Sequence, residues 1–77
     1  MAAVEVDRES ARFKAFVSSV SVLLRSDRDR DDYSVLEVEA HVNGGDTRFS
    51  KGEIDAMLEL MDEDDKLLFV DGTVNKI

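Results

Sequence analysis

Apolar residues along this chain fall into three helical stripes and then a strand-like run. Phe13, Phe16, Val17, Val20, Leu23 and Leu24 recur at steps of three and four, which stacks them on one face of a helix over 8–25. Asp7 is the expected N-cap, its carboxylate accepting from first-turn amides. The stripe reads as core, because so small a domain needs two of its five aromatic residues inside. A shorter stripe of Val35, Val38 and Val42 follows, opened by Ser34 and Glu37 at the S-x-x-E spacing of a capping box. Asn43-Gly44-Gly45-Asp46 is expected to stop that helix, since glycine tolerates the left-handed backbone common at helix ends. A second capping box, Ser50 with Glu53, opens a third helix, and Phe49 and Ile54 have the spacing of a hydrophobic staple. Ile54, Met57, Leu58 and Met61 form its buried face.

The pattern then changes period. "KLLFV-DG-TVNKI" over 66–77 is two β-rich runs around Asp71-Gly72, a strong hairpin signal. Its register is open, because a two-residue turn and a bulged three-residue turn send different side chains inward. Tyr33-Ser34-Val35 is a candidate short strand beside the hairpin. The predicted class is α+β: a winged helix-turn-helix of three helices with a C-terminal β-hairpin wing. A plain three-helix bundle would leave "LLFV" unexplained.

Size and composition narrow the chemistry. Seventy-seven residues make one small domain, without cysteine and therefore without disulfides or thiolate metal sites. No apolar run approaches the ~20 residues of a membrane span, and "MAAVEVD" has no signal-peptide character. Asp27, Asp29 and Asp31 have the opening spacing of a calcium loop. Asp32 then stands where the sharp turn needs glycine, and Val38 where a bidentate glutamate is required. His41 is the only histidine, too little for a zinc site or a triad, and Gly44-Gly45 opens no phosphate-binding loop. Neither catalysis nor a cofactor or metal is indicated.

Charge is the informative feature. The net value is −8, and residues 31–77 carry thirteen acidic side chains against four basic ones. Between Ser50 and Glu63 only Lys51 opposes Glu53, Asp55, Glu59, Asp62 and Glu63. In a winged helix this third helix is the one usually sent into the DNA major groove. DNA affinity comes largely from neutralising phosphates, so a helix of carboxylates adds repulsion there. The composition suits docking on a basic protein surface, with Asp55, Glu59, Asp62 and Glu63 steering and Leu60 as a small apolar anchor. The alternative is DNA binding through Arg8, Arg12, Lys14, Arg25, Arg28 and Arg30 on the first helix and its loop.

"RFKAF" at 12–16, "FSKGEIDAMLELMDED" at 49–64 and "KLLFVDGTVNKI" at 66–77 together resemble the C-terminal winged-helix domain of minichromosome maintenance subunit three, a replicative helicase subunit. The resemblance covers residues 8–77, and residues 1–7 are expected to be a disordered linker or added sequence. It implies a nuclear fragment of an ATP-dependent helicase that helps recruit the helicase to origins during replication licensing. The implied partners are the origin recognition complex, its loading ATPase and the other helicase subunits, with weak or no direct DNA binding and no membrane. The "RSDRDRDD" loop at 25–32 is more charged than the family's pattern.

Overall fold

The computed structural model describes residues 6–77. Three helices, α1 (Ala11–Arg25), α2 (Val35–Val42) and α3 (Lys51–Glu63), are accompanied by β1 (Asp32–Ser34), β2 (Leu68–Val70) and β3 (Thr73–Asn75). The expected linker over 1–7 falls mostly outside the described residues; Val6 is half-buried and packs on the core.

α1 begins later than its periodicity suggests, and its N-cap is Ser10 rather than Asp7. The Ser10 hydroxyl accepts from the Phe13 amide at 3.1 Å, while Asp7 Oδ1 accepts from the Glu9 amide at 2.9 Å. A cap acts on the amide three positions on, and the first buried side chain is Phe13. Ser10 is therefore correctly placed, and Asp7 closes only the turn before it. Phe13, Phe16, Val20 and Leu24 are buried, with Val17 and Leu23 at the edge of the core.

Both predicted capping boxes form with both arms in place, Ser34 with Glu37 and Ser50 with Glu53. The end of α2 differs from expectation. Gly72 is the only glycine with a positive φ among the described residues, so neither Gly44 nor Gly45 stops the helix by turning left-handed. Asn43 does the work instead: its Oδ1 accepts from the Phe49 amide at 2.7 Å and its Nδ2 donates to the Phe49 carbonyl at 3.2 Å. That two-point clamp closes the glycine loop and delivers Phe49 to the core, where its ring meets Phe16 edge-on at 5.4 Å.

α3 ends in a Schellman-type turn. The Lys66 amide donates to the Met61 carbonyl at 2.9 Å and the Asp65 amide to Asp62 at 3.0 Å, with Asp65 at φ 60°. The hairpin turn is the two-residue form, Asp71 at φ 51° and Gly72 at φ 74°, the primed geometry that follows strand twist. It pairs Val70 with Thr73 and Phe69 with Val74, so Leu67, Phe69 and Val74 face the core and Leu68 and Val70 face outward. β1 joins β3 on its other edge, Tyr33 opposite Val74, giving an antiparallel order β1-β3-β2. The third strand thus exists, one residue earlier than Tyr33–Val35, because Val35 already enters α2 and its amide donates to the Gly72 carbonyl at 2.9 Å. Three helices closed by this sheet form the predicted winged-helix arrangement, around a core in which, among the described residues, no charged side chain is buried.

Candidate functional site on the third helix

Burial of Ile54, Met57, Leu58 and Met61 fixes the rotation of α3 and leaves its other side to solvent. There Ala56, Glu59, Leu60, Asp62 and Glu63, together with Val6, line a shallow hollow of about 510 Å³. Four of the five predicted docking residues are brought together; Asp55 is half-buried and lies outside the lining.

Their environments differ. Glu59 is exposed and joins no ion pair among the described residues. Leu60 is half-buried and packs against the edge of the core. Asp62 has a structural duty, since its Oδ2 accepts from the Phe69 amide at 3.0 Å and ties α3 to the hairpin. Glu63 accepts from Arg8 Nη2 at 3.4 Å, and the neighbouring Asp64 from Arg8 Nε at 3.0 Å. Val6, which the sequence did not single out, and Arg8, expected only as a DNA-binding cation, bring the segment before α1 against this face. No local periodicity could reveal the role of Arg8, because its carboxylate partners lie more than fifty positions away.

The last turn of α3 carries Asp62 and Glu63 with no basic residue, Asp64 is its C-cap, and Asp65 follows. Carboxylates at a helix C-terminus oppose the macrodipole, typically by ~0.3–1 kcal/mol each when exposed. A local rule broken in this way is characteristic of a surface shaped for something besides stability.

Elsewhere the domain neutralises its own carboxylates. Arg12 grips Glu53 through two bonds, at 2.5 and 2.8 Å, and lies 4.7 Å over the Phe49 ring. Hydrogen bonding to Arg12 holds the Glu53 carboxyl below its usual range. Arg30 holds Glu37 in the same manner and lowers it likewise, while its guanidinium covers the Tyr33 ring at 4.3 Å. Three of the six cations of the DNA-binding alternative, Arg8, Arg12 and Arg30, are thereby committed to carboxylates.

In the aspartate loop, Asp27 Oδ1 accepts from the Asp29 amide at 3.0 Å, and the Asp27 carbonyl accepts from Lys76 Nζ at 2.7 Å. Among the described residues no three carboxylate or histidine side chains cluster as metal ligands. His41 is exposed in the last turn of α2.

The chain matches the family model of the MCM3-like winged helix domain over residues 6–77. It belongs to that family. No curated protein and no solved structure matches it. The match takes in Val6 and Arg8 as well as the helices and the wing, so the strap across α3 lies within the MCM3-like domain. Membership ties the domain to minichromosome maintenance, and so to a role in DNA replication.

Proposed function

We propose that this MCM3-like winged helix domain is a protein-docking module of a replicative helicase subunit. It presents the outer face of α3 to a basic surface on the origin recognition complex and its loading ATPase during licensing, in the nucleus. The observation that carries the reading is the hollow beside Leu60, lined by three carboxylates and no cation, on the helix that a groove-reading winged helix would need basic. Glu59 and Asp55 supply long-range attraction, Leu60 and Ala56 offer a small apolar contact, and Glu63 exchanges Arg8 for a cation of the partner. Asp62 stays with the hairpin and holds the face in shape.

Rim charges act mainly on encounter rate and salt dependence. Asp55→Lys with Glu59→Lys is the clean test, because neither side chain has an ion-pair partner among the described residues. The expected result is binding to the purified loader proteins that is weaker by about tenfold or more, chiefly through a slower on-rate, with an unchanged melting curve. Undiminished binding would move the interface off α3. The DNA-binding alternative has less to draw on, with half of its named cations already paired.

A further inference from the structure

A second surface on this acidic domain has the opposite sign. Of the ten lysines and arginines in the chain, only Arg8, Arg12 and Arg30 form ion pairs among the described residues. Four of the remaining seven, Arg25, Arg28, Lys66 and Lys76, line one open cleft of about 660 Å³, and no aspartate or glutamate is among the residues lining it. They come from four places in the chain: the last turn of α1, the loop after it, the residues leading into β2 and the residues following β3. Where these side chains have partners, the partners are neutral. Arg25 Nε donates to the Ser21 carbonyl at 3.2 Å and Lys76 Nζ to the Asp27 carbonyl at 2.7 Å, and neither residue forms an ion pair among the described residues. Leu24 and Ile77 add apolar surface to the same cleft.

We propose that this cleft binds an acidic peptide segment of a protein partner, its carboxylates meeting Arg25, Arg28, Lys66 and Lys76 and an aliphatic side chain resting on Leu24 and Ile77. Four like charges gathered against a net charge of −8 make a local well for a short anion. The same net charge disfavours a long one. Screening extends only about 8 Å at physiological ionic strength, so a duplex lying across the cleft would meet Asp27, Asp29 and Asp31 of the adjoining loop. A short peptide meets fewer of them than a duplex does, and its apolar residue gains contact that a phosphodiester backbone cannot use. The site is independent of the α3 face: no residue lines both hollows.

The test is a nuclear magnetic resonance titration of the isotope-labelled domain with a short peptide of Asp-Glu-Leu repeats, compared with Lys-Lys-Leu repeats and a short DNA duplex. The expected result is movement of amide signals around Arg25, Arg28, Lys66 and Lys76 with the acidic peptide alone, reversed by added salt. Arg28→Glu with Lys66→Glu should weaken binding about tenfold or more, and Arg28→Gln with Lys66→Gln should do so less strongly. Both residues are exposed, and circular dichroism checks that each variant stays folded. Glu59→Lys should leave the titration unchanged, which separates failure here from failure of the α3 reading. Shifts that map elsewhere, or tighter binding of the duplex at the same amides, would overturn the proposal.

Discussion

Single residues in this domain hold two jobs that sequence type alone does not reveal. Asp62 reads as one more acid on a charged face, yet its oxygen holds the Phe69 amide and so fixes the hairpin on α3. Tyr33 reads as a strand residue, and it is 2% exposed with a hydroxyl that finds no hydrogen-bond partner among the described residues. A buried hydroxyl left unpaired costs ~1–3 kcal/mol. Tyr33→Phe keeps the ring, its place opposite Val74 and the Arg30 contact while removing that cost. Urea denaturation should therefore show the variant to be neutral or more stable by up to about 2 kcal/mol. A clear loss of stability would mean that the hydroxyl is bonded after all.

Elements are set mainly by their ends. The two capping boxes start α2 and α3 where S-x-x-E spacing requires, because each satisfies two amides reciprocally. Stops are less legible. α2 ends through the Asn43–Phe49 clamp, which needs the folded loop to exist, and α3 ends on Asp65 in a conformation that favours glycine. Asp65→Gly relieves that backbone strain and removes a carboxylate from the negative end of α3. The expected gain is roughly 1 kcal/mol, read as a higher urea midpoint with unchanged slope. A lower midpoint would show that Asp65 makes a compensating contact.

At the scale of the whole molecule, charge is partitioned. Arg12 and Arg30 tie α1 and its loop to the starts of α3 and α2, and Arg8 ties the N-terminal strap to the end of α3. What remains is an acidic α3 face and a separate basic cleft that shares no lining residue with it. The pairing has a pH signature. Because Glu53 is held below the usual glutamate range when folded, its contribution is present above the unfolded value of about 4.3 and lost as pH falls through the folded value. Glu53→Gln keeps the hydrogen-bonding spacing of the capping box but loses the ion pair with Arg12. Thermal melts should show the variant less stable than the parent near neutral pH, with the gap closing in acid. A gap that persists in acid would assign the loss to packing rather than to charge.

The sequence by itself determined the three helices, the starts of α2 and α3, the position of the hairpin at Asp71-Gly72 and the core stripes of the helices. Each of these follows from spacing, capping chemistry or turn preference within about a dozen residues. It also put Glu59, Leu60 and Glu63 on one outward face, since helical geometry is local. Only the tertiary structure decided the strand register, the clamp at Asn43, the strap of Val6 and Arg8, and the meeting of Arg25 and Arg28 with Lys66 and Lys76. Those depend on groups far apart in the chain being brought together by the core, and no local period encodes that approach.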